Sequence, residues 1–108
     1  MIGHRWCRHC GKDYSYEGYS VNIMTFCPHC LRFDHLECEY GYGHIVPCQI
    51  LLGEQPIGVI YISDGHYHLE SLYLDINIVL KDTGIKALEE AEKIVSQALQ
   101  EKYREQNN

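Results

Sequence analysis

The chain carries two Cys-x-x-Cys pairs, Cys7-Arg8-His9-Cys10 and Cys27-Pro28-His29-Cys30, with sixteen residues between them. Thiolates are soft ligands, and two such pairs at loop distance let one chain wrap a single tetrahedral ion with four sulfurs. Cys7, Cys10, Cys27 and Cys30 are therefore predicted to hold one structural Zn²⁺ ion, with iron as the other metal for the same ligands. A closed four-thiolate site leaves no coordination position for a substrate, so the chemistry expected of it is structural rather than catalytic.

The segments that must position these thiols form a weak internal repeat. Trp6-Cys-Arg-His-Cys-Gly-Lys12 matches Phe26-Cys-Pro-His-Cys-Leu-Arg32, an aromatic before each pair and a basic residue after it. Two knuckles related by a pseudo-twofold fit this pattern, each turning sharply so that amide N–H groups point at the sulfurs. The residue after the second cysteine then takes a positive φ, which suits Gly11 and costs Leu31 roughly 1 to 2 kcal/mol. Between the knuckles, Lys12 to Tyr19 alternates Tyr with polar residues and turns at Glu17-Gly18, and Ser20 to Phe26 is β-prone, so these two stretches are expected to pair as a hairpin. Residues 4–33 resemble a zinc ribbon, within the wider rubredoxin-like group of four-cysteine knuckle folds, and that resemblance implies metal binding without naming an activity.

A second resemblance attaches to one pair alone. Cys27-Pro28-His29-Cys30 is similar to the active site of the DsbA-type oxidants of the thioredoxin superfamily, with Pro56, the Ser63-Asp64-Gly65 turn and a terminal helix echoing the later half of that fold. It implies an alternative, thiol–disulfide exchange, with Cys27 as exposed nucleophile at a helix N-terminus and Cys30 as resolving thiol.

Other ligand-type residues recur. His9 and His29, inside the knuckles, are expected to project into solvent. His35, Cys38, His44 and Cys48 run as His-x2-Cys-x5-His-x3-Cys, a spacing able to close a second zinc site, although Cys38 and Cys48 are more simply read as small buried hydrophobes. His66, His68 and Glu70 alternate, so they share one face of a strand. That row offers three ligands for an open metal site, but it is also the ordinary pattern of a solvated sheet face.

The rest of the chain supplies a body. His44 to Leu52 reads as a strand, placed at a sheet edge by Pro47. Residues 57–63 and 66–74 flank Asp64-Gly65, a two-residue hairpin signal that predicts Ser63 opposite His66, Ile62 opposite Tyr67, Tyr61 opposite His68, Ile60 opposite Leu69 and Val59 opposite Glu70. Ile60, Ile62, Tyr67 and Leu69 then form the core face. Residues 76–80 make a further short strand. A helix over 84–104, capped by Asp82 or Thr83, carries Ile85, Leu88, Ala91, Val95, Ala98, Leu99 and Tyr103 as one apolar stripe. The predicted fold is α+β: a zinc-ribbon module over 1–34, then a small antiparallel sheet over 35–108 packed against one long C-terminal helix.

The net charge is -6, and from His35 to Leu80 the chain has no Lys or Arg while Glu37, Glu39, Glu54, Asp64, Glu70 and Asp75 are acidic. Phosphate backbones need clustered cations, so nucleic-acid binding is confined to the basic ribbon tip, Arg5, Arg8, Lys12 and Arg32. A protein partner is the main expectation, met by the acidic sheet or by a surface rich in Tyr14, Tyr16, Tyr19, Tyr40 and Tyr42. No apolar run reaches bilayer length and residues 1–6 lack the apolar core of a secretory signal, which predicts a cytoplasmic protein, where paired cysteines bind metal more often than they form disulfides.

Overall fold

A computed structural model describes residues 2–39 and 44–106 of the 108. Eight strands precede one helix: β1 (Ile2–Trp6), β2 (Asp13–Glu17), β3 (Asn22–Phe26), β4 (Phe33–Cys38), β5 (Cys48–Leu52), β6 (Gln55–Ser63), β7 (His66–Ser71), β8 (Ile76–Val79) and α1 (Ile85–Gln106). β1 and β2 form a small antiparallel sheet. The other six make a larger one in the order β4-β3-β5-β6-β7-β8, mixed because β3 and β5 run parallel. The class is α+β, as expected.

The larger sheet is covered by α1 on one face and, over β3 and β5, by the small sheet on the other, and the alternation of side chains explains how. On β3, Ile23 points to the small sheet while Met24 and Phe26 point to the helix; on β5, Leu51 and the pair Ile50 and Leu52 divide the same way. Burial on both sides is why these strands read as continuous apolar runs. The main core joins Met24, Phe26, Ile50, Ile60 and Leu69 to Leu88, Ala91, Val95 and Leu99 of α1. A smaller core of Cys7, Tyr14, Tyr16, Ile23, Cys27 and Leu51 lies between the two sheets.

The β6–β7 hairpin has the expected register at all five pairs. Asp64 (φ 53°) and Gly65 (φ 77°) both take the left-handed conformation that a type I′ turn requires. Of the expected core face, Ile60 and Leu69 are fully buried, whereas Ile62 lies near the hairpin tip, beyond the cover of the helix, and is half exposed. Of the expected stripe of α1, Leu88, Ala91, Val95, Leu99 and Tyr103 pack on the core, whereas Ile85 is 40% exposed and Ala98 stays outside it; Ala87 and Ile94 take places there instead. At the start of the helix the amides of Lys81 and Asp82 donate to the Glu90 carboxylate, while Gly84 (φ 64°) turns the chain in.

Two pairings differ from expectation. β2 and β3 do not form a hairpin: β2 pairs with β1 across the first knuckle and β3 with β4 across the second. β5 is not an edge strand but sits between β3 and β6; the strand begins at Cys48, after Pro47, so the missing proline N–H costs the ladder nothing. The residue 34/35 position lies within β4, whose partner β3 belongs to the larger sheet. Tyr40 and Tyr42 lie outside the described residues.

Candidate metal centre

Each Cys-x-x-Cys pair is the tip of a hairpin, the first between β1 and β2, the second between β3 and β4. The two tips repeat at an offset of twenty residues. Gly11 N–H donates to the Cys7 carbonyl (2.9 Å) and Leu31 N–H to that of Cys27 (2.8 Å); Cys7 N–H donates to Lys12 O and Cys27 N–H to Arg32 O, both at 3.0 Å. The turn closes through a left-handed residue in both, Gly11 at φ 75° and Leu31 at φ 66°, as the repeat predicted.

These turns bring the four sulfurs together. All four Sγ atoms lie within 4.8 Å of one another, with Cys7 to Cys30 at 3.5 Å and Cys10 to Cys27 at 3.7 Å. Four ligands at roughly 2.3 Å from a tetrahedral ion stand roughly 3.8 Å apart, so the spacing fits one coordinated metal. His9 N–H and His29 N–H each donate to a sulfur, Cys7 and Cys27 respectively, at 3.3 Å. Such donors stabilise negative charge on sulfur and orient the ligands, as outer-shell groups do around metal sites. All six cysteines are free thiols.

The electrostatics of the thiols reflect burial opposed by backbone amides. Burial opposes the Cys7 thiolate, but the amides of Cys10 and His9 and the neighbouring thiols outweigh it and bring its pKa down to about 7. Burial pushes Cys27 up to about 12 against the amides of Cys30 and His29, and raises Cys30 as well. Thiolates packed this closely repel one another, and a divalent cation among them reverses that penalty.

The hairpins are also clasped through protein atoms. The exposed rings of His9 and His29 do not simply point into solvent: His9 Nε2 lies 3.0 Å from Phe33 O and His29 Nε2 3.1 Å from Asp13 O, the same contact at the same offset. Beneath them Asp34, its side chain fully buried, accepts from Arg5 Nε (3.0 Å), Arg8 N–H (3.1 Å) and the Tyr14 hydroxyl, which also touches Thr25 Oγ1 at 3.2 Å. Burial disfavours ionised Asp34, yet Tyr14, the Arg8 amide and Arg5 hold its carboxyl below the usual range. Sequence reasoning missed this quartet. Its signal is the repeat itself, which makes Arg5 equivalent to Thr25 and Tyr14 to Asp34.

The other candidate sets are not assembled. Among the described residues the four knuckle cysteines are the single metal-sized cluster of His, Cys, Asp and Glu. His35, Cys38, His44 and Cys48 do not converge; Cys48 is fully buried, its thiol pushed up to about 12 by burial, and burial likewise raises Cys38. On the β6–β7 hairpin His68 stacks on Tyr61 at 5.1 Å, with its Nε2 3.3 Å from Ser63 O, rather than joining His66 and Glu70 around a common point. Cys27-Pro28-His29-Cys30 lies between two strands, with Cys27 fully buried, so the helix N-terminus that the DsbA-type resemblance implies is not there. Tyr14 and Tyr16 are buried and Tyr19 is exposed. No described helix is long and apolar enough to cross a membrane. The sulfur cluster stands on this geometry alone, for the chain matches no family model, no curated protein and no solved structure.

Proposed function

We propose that the ion is zinc and that the protein is a small interaction or regulatory factor, in which the metal holds a protein-binding surface in shape. The observation that carries the metal is the spacing of the four sulfurs together with their paired N–H donors. Tetrahedral, all-thiolate coordination without an open position is the chemistry of structural zinc. The surface is the outer face of the small sheet. Ile2 is 77% and Trp6 73% exposed on the same side of β1, and Tyr19, 79% exposed, hydrogen bonds to Glu17, which pairs with Ile2. Ile2 and Trp6 stand at the two ends of this face with His4 between them, and exposed aromatic side chains are enriched at binding surfaces.

This reading is favoured over nucleic-acid binding by the ribbon tip, because Arg5 is committed to Asp34 and Arg8 lies over the Phe33 ring at 5.3 Å. Elemental analysis of the purified protein tests the metal, with one zinc per chain expected. Crosslinking in cell extract tests the surface: a protein captured by the wild type and lost on Trp6→Ala, with zinc retained, supports it. Loss of zinc in Trp6→Ala, or capture unaffected by it, contradicts the role given to this face.

A further inference from the structure

A cavity of about 510 Å³ opens where β4, the first half of α1 and the first knuckle meet. Its walls are apolar at depth: Met24 and Leu88 are buried, with Phe33, Leu36 and Ile85 around them. Size and lining fall in the range of small-molecule sites, in which a few placed polar groups set the orientation of an apolar body.

The polar groups here are Arg8 from the knuckle, Glu89 and Glu92 from α1, and Asp34 and His35 from β4. Asp34 is already committed, since its carboxylate accepts from Arg5, the Arg8 amide and Tyr14. The others are not. The ion pairs among the described residues are His4–Asp13 and Arg5–Asp34, so the Arg8 guanidinium has no carboxylate within 4 Å, and neither Glu89 nor Glu92 has a cation within that distance. Arg8 lies over the Phe33 ring, 5.3 Å from its centre, and its amide is anchored on Asp34 at 3.1 Å, which sets its side chain on the cavity wall. Across from it, burial raises the Glu92 carboxyl above its usual range, Arg8 working against this and Glu89, one helical turn away, adding to it. A half-buried carboxylate that no cation touches gains from an ammonium placed against it, and the guanidinium offers a fork that matches a second carboxylate. Burial, with Arg5, lowers the pKa of His35, so its ring adds no charge at neutral pH.

Opposite charges, unpaired on two walls above an apolar floor, call for a ligand with both charges at one end and an apolar group at the other. A simple amine would leave Arg8 unmatched, and a simple acid would leave Glu92 unmatched. We propose that this cavity binds an α-amino acid with an apolar side chain, its carboxylate on Arg8, its ammonium on Glu92 and its side chain against Met24, Leu36 and Leu88. The proposal does not depend on the identity of the metal or on the surface around Trp6.

Two-dimensional amide NMR of the purified protein tests it with L-leucine, N-acetyl-leucine and leucine amide as probes. Leucine should shift the amides of Leu36 and Leu88 with a Kd at or below about 1 mM, and each blocked derivative should bind at least about tenfold more weakly. Arg8→Gln and Glu92→Gln, each shown folded by circular dichroism, should weaken leucine by about tenfold, whereas Glu54→Gln, which removes an exposed charge elsewhere, should leave it unchanged. The proposal is overturned if leucine, phenylalanine and methionine leave these amides unshifted at about 10 mM. It is equally overturned if either blocked derivative binds as well as leucine, or if Glu54→Gln costs as much as Glu92→Gln.

Discussion

The two knuckles match residue for residue at an offset of twenty, yet Trp6 is 73% exposed where its counterpart Phe26 is fully buried. Both tips share the same amide–sulfur contacts, the same left-handed closing residue and the same histidine reaching across to the other hairpin. They part company in what lies beside them. β3 has β5 against its free side and α1 over one face, while β1 pairs with β2 alone within its sheet. A Cys-x-x-Cys knuckle thus specifies a turn and the placing of its thiols but not the burial of the strands that carry it. The second hairpin is part of the core, and the first meets it at the four clustered cysteines, the small inter-sheet core and the buried Asp34.

That asymmetry sets how mutations at equivalent positions should differ. Phe26→Ala empties a fully buried site and is expected to cost about 3 to 5 kcal/mol of unfolding free energy, whereas Trp6→Ala should change it by about 0.5 kcal/mol or less. Denaturant unfolding of the two variants compares them directly, and similar losses would mean that the first hairpin is as deeply integrated as the second.

The polar clasp comes next in size. Asp34→Asn removes a buried carboxylate that Arg5, the Arg8 amide and Tyr14 all address, and should cost about 2 to 3 kcal/mol at neutral pH. Because the folded state holds the Asp34 pKa below its ordinary value, its contribution is fully present above roughly pH 4 and is lost as pH falls through the lower folded value. The gap between wild type and Asp34→Asn should therefore narrow in acid. A gap that stays constant down to the lowest pH at which the protein folds would assign the loss to packing.

The smallest contrast lies in the closing residues. Gly11→Ala meets no atom within 4 Å, so its expected cost of about 1 to 2 kcal/mol is backbone strain alone. Leu31→Gly relieves that strain but removes a side chain packed on the main core, so the two effects should nearly cancel. Thermal unfolding of the pair distinguishes strain from packing.

What the sequence showed clearly was local. The spacing of the cysteines, the positive φ at Gly11 and Leu31, and the register set by Asp64-Gly65 each follow from a few neighbouring residues, and all are seen. What it hid was non-local. Ser20 to Phe26 is a good strand in isolation, but its partners lie in β4 and β5 on the far side of the second knuckle, and proximity in sequence pointed wrongly to β2. Pro47 suggested an edge because the start of β5 could not be fixed to a single residue. Asp34 was just one acidic residue in the chain until the fold buried it beside Arg5 and Tyr14.

The central claim is that one metal ion, held by Cys7, Cys10, Cys27 and Cys30, joins a loosely supported first hairpin to a second one embedded in the core. Hydrogen exchange before and after chelation tests it most directly, on protein whose metal content has been counted by native mass spectrometry. The expected result is one ion per chain; on its removal, amide protection should collapse across residues 2–17 while β5 to β7 and α1 stay protected. A chain that carries no bound metal, or one whose first hairpin remains fully protected after the ion is stripped, would contradict the account.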